Sequence, residues 1–555
     1  MDNVRLFLLM ALAFLGMLIY QAWQQDYGPH RQEQSAEALA QRADAPAVQA
    51  PEGQPPSPVD DATPVLPTDV SSLPTTAANT ATLTKIHTDT LDLVIDSHGA
   101  TIVDARLVEY PVAVDQQDVK YRLLSQRPDD YFIIQSGLLG ADKDRTPTHE
   151  AVFSTAAAEY TMASDADTLS VDFTWRSADG VQVIKRYTFT RGLHSVQLQQ
   201  LIVNGSNAPL TARDYRQLQR GEVKSGRTMF MNTYTGSAIY TLEDKYQKYS
   251  FSELAEGKLN RDAADGWIAM IQHYFLAASV PPRGEAQHFY GKRLDNGRAV
   301  IGTYSEPRTI EPGANADFGG ELFIGPKLQA ELGQLAQGLD LTVDYGWLVF
   351  IAKPMYWVLE QIQGFVHNWG WTIIIFTILI KLAFFKLSET SYRSMANMRK
   401  LTPRIQALKD RYGDDKQRMQ QAMMEMYKTE KINPLGGCLP MLVQIPFFIA
   451  LYWVLLESVE LRQAPWILWI RDLSIKDPHF VLPLIMGVSM FVQQKLNPPP
   501  PDPMQAKIML ALPLVFTVMF AFFPAGLVLY WVVNNLLSIA QQWVITKRIE
   551  EGAKA

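Results

Sequence analysis

Two regimes of hydrophobic patterning divide the chain. From about residue 83 to 344, apolar and polar residues alternate with period two in short runs such as LDLVID, VDFTW, VQVIKRYTF and SVQLQQLIV, separated by turn signals such as SADG at Ser177 and NGS at Asn204. Such runs predict half-buried strands, and many of them without long intervening helices predict a large β-sandwich. Two stretches read as helices instead: Leu254 to Asp262, and GPKLQAELGQLAQGL at the end of the region. Beyond residue 345 the apolar residues gather into long runs, which predict spans at about 370–387, 440–457, 480–496, 508–524 and 526–545. Between the two regimes, WLVFIAKPMYWVLEQIQGFVHNW is amphipathic, rich in Trp and interrupted by Pro354, the pattern of a helix lying in a membrane interface. Leu6 to Trp23 is long enough to span and is followed by no small-residue cleavage pattern, so it reads as an uncleaved signal-anchor and a sixth span.

The expected domains are therefore an anchor at 1–24, a linker at 25–82, a β-sandwich at 83–345, an interfacial helix at 346–369, a five-span core at 370–545 containing a helical hairpin at 388–434, and a tail at 546–555. The linker is Pro, Ala, Gln, Thr and acid, too polar to fold, and reads as disordered. Several spans are short. Seventeen helical residues measure about 25 Å against a hydrocarbon core of about 30 Å, so such a bundle would thin the bilayer around it.

Charge sets the expected topology. Between Asp26 and Asp69 there are two basic residues against eight acids, whereas between Lys386 and Lys431 there are eleven against six. The positive-inside rule places the hairpin in the cytoplasm, the β-domain outside and both termini inside. The only cysteine is Cys438, so no disulfide framework supports the outer domain; LGGC around it superficially resembles a lipidation box but reads more simply as a buried cysteine.

A search for catalytic chemistry returns little. The nine histidines form no HExxH or paired spacing, and there is no GxSxG, phosphate-binding loop or GxGxxG. No metal site or cofactor is expected. The spans are more informative. TIIIFTILIKLAFFKL, Thr372 to Leu387, is apolar at twelve of sixteen positions yet contains Lys381, with no acid in the run. Ion-coupled transporters need intramembrane acids, which argues against that class. Two readings of Lys381 stand side by side: a stem that snorkels toward the boundary marked by Lys386, or a cation facing a wet groove. Thr377 shares its face, Tyr530, Asn534 and Gln541 form a stripe on the last span, and Gln444 lies early in the second of the five core spans. These groups either hold the bundle together or line a hydrophilic cavity in the inner leaflet. The hairpin breaks at YGDD, and its methionines, Met395, Met398, Met419, Met423, Met424 and Met426, form the kind of flexible thioether surface that suits unlike apolar partners.

The run DDKQRMQQAMMEMYKTEKINPLGGCLPMLVQIPFFIALYWVLLESVELRQAPWILWIRDLS, with DPMQAKIM, LTVDYGWLVFIAKP and the closing FPAGLVLYWVVNNLLSIAQQ, resembles the YidC family of bacterial membrane insertases and its mitochondrial and chloroplast relatives. The resemblance covers essentially the whole chain. It implies a polytopic α-helical membrane protein with a five-span insertase core and a periplasmic β-sandwich of sugar-mutarotase fold that is not itself an enzyme. The implied function is helping new membrane proteins into the inner membrane, alone or with the Sec translocon, through a hydrophilic groove open to cytoplasm and lipid, without nucleotide hydrolysis. The family's groove residue is usually Arg; Lys381 stands at the matching position here and lacks guanidinium's planar fork and permanent charge. By the same match Thr377, Gln444, Phe448, Tyr530 and Trp531 are groove or client-contact positions; Asn534, on the polar stripe of the last span, is expected to line the groove with them, and the hairpin's Met419, Met423, Met424 and Met426 are expected to capture clients on the cytoplasmic side. Implied partners are nascent membrane proteins, the Sec translocon, the ribosome through the hairpin and tail, and the lipid bilayer, with no nucleic-acid specificity. An ion-coupled transporter and a structural scaffold of the Sec machinery are the competing classes.

Overall fold

The computed structural model describes residues 82–222, 233–413, 415–430, 439–496 and 503–552. The expected anchor and nearly all of the linker, and Cys438, lie outside the described residues. Residues 403–430 form one compact unit, and the rest of the described chain forms another.

The period-two stretches fold as strands. Val181–Thr190 alternates buried and partly exposed positions along its length and pairs antiparallel with Ser195–Asn204, with Gly192 supplying a positive φ in the connecting turn. One eleven-stranded sheet runs from Asn260–Ala264 through Ala286–Arg293, Ala299–Ser305, Leu210–Arg220, Phe132–Leu139, Thr101–Pro111, Leu91–Asp96 and Leu83–His87 to Glu159–Thr161, with two short strands off that path. The second, of eight strands, runs from Lys245–Tyr249 through Gly236–Thr241, Gly266–Ile271, Phe275–Val280, Asn315–Pro326, Ser195–Asn204 and Val181–Thr190 to Thr168–Arg176. Ile95, Ile134, Leu218 and Ile301 of the first sheet share one core with Phe173, Val183, Leu198 and Leu322 of the second, the packing of a sandwich. The expected helix at Leu254 to Asp262 is corrected. A shorter α1, Phe251–Ala255, starts earlier at a capping box of Ser250 and Glu253, and Asn260–Ala264 is an edge strand paired with Ala286–Arg293. The second expected helix is present as α2, Gln329–Leu335.

After the sandwich come α3 (Val349–Val366), α4 (Trp369–Ala383), α5 (Phe385–Lys400), α6 (Thr402–Tyr412), α7 (Lys416–Thr429), α8 (Leu439–Glu457), α9 (Val481–Leu496), α10 (Pro503–Phe520) and α11 (Ala525–Gly552). Helix α3 presses Ala352, Met355, Tyr356 and Leu359 against the core and leaves Trp347 before it, Phe350, Trp357 and Phe365 exposed, the last at 87%. An apolar stripe turned outward on a Trp-rich helix suits a membrane interface. The expected span at 370–387 is broken: α4 ends at Phe384, whose N–H is shared by the carbonyls of Ile380 and Leu382, and α5 leaves at 63°. No single described helix is long and apolar enough to cross a membrane, although the bent pair of α4 and the first part of α5 is, and Val443–Glu457, Val481–Leu496 and Lys507–Phe520 are shorter apolar helices. The sixteen residues of α9 measure about 24 Å.

The sandwich is fastened to the C-terminal end of α8. Lys327 and Glu457 form a buried ion pair at 2.9 Å. His273, which burial and the neighbouring Lys327 ammonium push down to about 4, is neutral and donates from Nε2 to the Leu456 carbonyl at 2.9 Å. Arg462 donates to the carbonyls of Pro111 and Val112 while its guanidinium lies over the rings of Tyr121 and Phe275. Val459 belongs to the sandwich's own hydrophobic core.

Candidate functional site

Helix α11 organises the site. Tyr530, Asn534, Ser538 and Gln541 recur at intervals of four, four and three and so share one face. Lys381, in the last turn of α4, is only 6% exposed, and its Nζ donates to Ser538 Oγ at 2.8 Å. That hydroxyl donates in turn to the Asn534 carbonyl at 2.7 Å, and Gln541 Nε2 reaches the Lys381 carbonyl at 3.4 Å. From α8, Gln444 Nε2 donates to Asn534 Oδ1 at 3.0 Å and its side chain also hydrogen-bonds the Tyr530 hydroxyl. Phe448, one helical turn further on, stacks with Tyr530 and meets the Trp531 ring edge-on at 4.7 Å. Trp531 in turn packs on Phe520 of α10.

This is a polar seam through an apolar bundle. Among the described residues no carboxylate lies within ion-pair distance of Lys381, and one of its three N–H donors has a protein partner. Two polar atoms along the seam, Trp531 Nε1 and Gln541 Oε1, are buried with no hydrogen-bond partner among the described residues. Groups of that kind bind water or an incoming polar group, because leaving them dry costs about 1–3 kcal/mol each. The Lys381 stem turns to Ser538, whereas Lys386 beyond the bend is almost fully exposed. A second seam, Asn535 to Ser489 at 3.2 Å, ties α11 to α9.

The sequence-predicted residues divide by placement. Gln444, Phe448, Tyr530, Trp531, Asn534 and Lys381 come together. Thr377 does not offer its hydroxyl to them: it is wholly buried and bonds back to the Ile373 carbonyl in its own helix. Ser538 was missed, although its position four residues after Asn534 puts it on the stripe already noted. Met419, Met423 and Met426 share one partly buried face of α7, and Met424, about 100° round the helix, is exposed. Asp415 caps α7 by accepting from the Arg418 N–H, and Arg404 pairs with Glu430 across the hairpin.

Short apolar helices thus enclose a cation and an amide–hydroxyl seam, with a β-sandwich fastened at one end. Residues 361–552 match the family model described as 60Kd inner membrane protein, and residues 83–358 match the one described as YidC periplasmic domain. The chain is 50% identical to the membrane protein insertase YidC of Thioalkalivibrio sulfidiphilus over 100% of both chains. It is 51% identical to that of Methylococcus capsulatus over 100% of this chain and 99% of the relative. The chain belongs to the YidC family of membrane protein insertases, inner-membrane proteins with a largely β-sheet periplasmic domain. A crystal structure of an active YidC insertase with its first transmembrane domain resolved superposes with a TM-score of 0.37 at 17% identity, covering 83% of this chain and 93% of that one. A galactose mutarotase related enzyme from Lactobacillus acidophilus gives 0.30 at 10% identity over 44% of this chain and 97% of its own. Overlaps this loose carry no argument, and the family assignment rests on the sequence relatives.

Proposed function

We propose that the protein inserts nascent membrane proteins by receiving their polar ends at the seam of Lys381, Gln444, Tyr530, Asn534 and Ser538, and passing their apolar segments over Phe448 and Trp531 into lipid. The observation that carries this reading is the buried Lys381 ammonium, held by a hydroxyl and without an acid partner among the described residues. Transfer of a polar segment across a bilayer is slow chiefly because the segment is desolvated; a hydrated half-channel in a thinned membrane shortens the dry path. The two ammonium N–H groups without a partner among the described residues take up acidic or carbonyl groups of the client. Partitioning of the client's hydrophobic segment supplies the free energy.

In this reading the chain has six spans, the first at 1–24 outside the described residues, with both termini and the hairpin in the cytoplasm and the sandwich in the periplasm. The hairpin's methionine face captures clients and its basic residues, with the short tail, meet the ribosome. The protein works alone or beside the Sec translocon, as the family resemblance implies. The ion-coupled transporter reading is not favoured by relatives that are named membrane protein insertases.

Photocrosslinking from positions 444 and 531 to a ribosome-stalled membrane-protein client tests the site. Adducts at both positions that move along the client as it lengthens are expected. Adducts absent there but present on the exposed faces of α9 and α10 would move the site elsewhere.

A further inference from the structure

The segment from Ser458 to Phe480, which joins α8 to α9, sorts its charges. Its three acids are occupied inside the protein: Glu460 accepts from the Tyr356 hydroxyl at 2.6 Å, and Asp472 accepts from the N–H and hydroxyl of Ser474. Asp477 accepts from the Trp469 indole and from the N–H groups of His479 and Leu482. Arg462 is taken up by the sandwich. The two remaining cations, Arg471 and Lys476, are exposed, and so are Ile467, Leu468, Ile475 and Phe480.

The most prominent of these is Leu468, 78% exposed at the tip of a tight turn and held at φ +53, a left-handed conformation that disfavours a branched side chain. The turn is rigidly built. The Trp466 N–H donates to the Ile470 carbonyl, and Asn368 Nδ2 donates to the carbonyls of Pro465 and Trp466. The Trp466 ring fills the space where Gly370 lacks a Cβ and meets Trp371 edge-on. A strained, well-braced turn that presents leucine to its surroundings is not a relaxed aqueous loop. The partly exposed Trp371 next to it opens α4, against which α3 packs with its own outward Trp357 and Phe365, so the tip continues an apolar rim.

We propose that the Ile467–Leu468 tip is a wedge set into the outer leaflet, with Arg471 and Lys476 binding the headgroups of anionic lipids at the same level. Hidden acids, displayed cations and a braced apolar tip fit a lipid surface, since cations near an anionic leaflet gain about fivefold each in surface partitioning, the equivalent of about 1 kcal/mol. The wedge would locally thin the bilayer at the outer end of the bundle. The proposal rests on the topology given above, with this segment outside.

The test uses the full-length chain in vesicles of phosphatidylcholine with and without phosphatidylglycerol. An environment-sensitive nitrobenzoxadiazole probe is attached at Leu468→Cys, or at Ile467→Cys as a second site, in a Cys438→Ser background. Blue-shifted emission that is quenched by nitroxide-labelled lipids without any client present is expected. Phosphatidylglycerol should deepen the quenching in the parent and not in an Arg471→Gln, Lys476→Gln double variant. Emission typical of water at both sites, or burial that appears only when a stalled client is added, would overturn the wedge. An equal response of parent and double variant to phosphatidylglycerol would overturn the headgroup contact. Modification of a cysteine at position 150 by an impermeant reagent, in the same vesicles, reports orientation separately, so a failed wedge is distinguished from a failed topology.

Discussion

Lys381 was legible as a residue before it was legible as a contact. A lone lysine in an apolar run announces itself in the sequence; that its partner would be Ser538, 157 residues later on another helix, does not. The same holds in the sandwich. The alternation of VQVIKRYTF puts Lys185 on the inward face with Val183 and Tyr187, but its acceptors, the Gly99 and Ser136 carbonyls at 2.7 and 2.6 Å and the Ser136 hydroxyl at 3.0 Å, are brought to it by other strands. Complete burial pushes this amine down to about 7, with Asp214 opposing. The folded state therefore releases a proton that the unfolded chain holds up to its ordinary value near 10.5. Above pH 7 the unfolded state binds more protons, so this group makes stability rise with pH, by up to about 1.4 kcal/mol per unit, until the unfolded lysine also titrates. Denaturant unfolding of the sandwich at pH 7 and 9 should show that gain in the parent relative to Lys185→Met; identical pH dependences would mean that Lys185 keeps its ordinary affinity for protons.

At the scale of elements, periodicity located the strands Leu91–Asp96, Thr168–Arg176, Val181–Thr190 and Ser195–Asn204 and the helix Gln329–Leu335, and its failures have local causes. The capping box at Ser250 starts α1 too early for a helix from Leu254, and ladder pairing takes Asn260–Ala264 into the sheet. The bend at Phe384 lies inside a largely apolar run that carries no proline or glycine to signal it. The hairpin turn, by contrast, was readable from YGDD, because Asp415 is a strong helix cap. Within α7 the shared face of Met419, Met423 and Met426 makes a specific prediction. Changing all three to Ser should weaken crosslinking of clients to the hairpin severalfold at constant protein level, by loss of about 1 kcal/mol or more of apolar contact. Met424→Ser, on another face, should do little, and equal effects would indicate a surface that is merely solvated.

At the scale of the whole molecule, the fastening of sandwich to core was the least legible feature, since Lys327 and Glu457 are 130 residues apart and each looks ordinary in its own context. In the proposed topology the sandwich and the C-terminal end of α8 lie on the same side of the membrane. In a Cys438→Ser protein, a cysteine at position 150 should react with an impermeant reagent from the periplasmic side, and one at position 415 only after permeabilisation; the reverse pattern would invert the account. The central claim, that an inward-held cation in a wet seam guides the polar ends of clients, is tested most directly by insertion rates of one client with and without two added Asp, in the parent and in Lys381→Arg, Lys381→Ala and Lys381→Glu. A contact between unit charges at about 4 Å in an effective dielectric near 20 is worth roughly 4 kcal/mol before desolvation. After that loss Lys381→Ala should slow the acidic client about tenfold, about 1.4 kcal/mol, and the neutral client much less. Lys381→Arg should preserve both rates and Lys381→Glu should be worst for the acidic client. Rates that fall equally for both clients, or for neither, would contradict the claim.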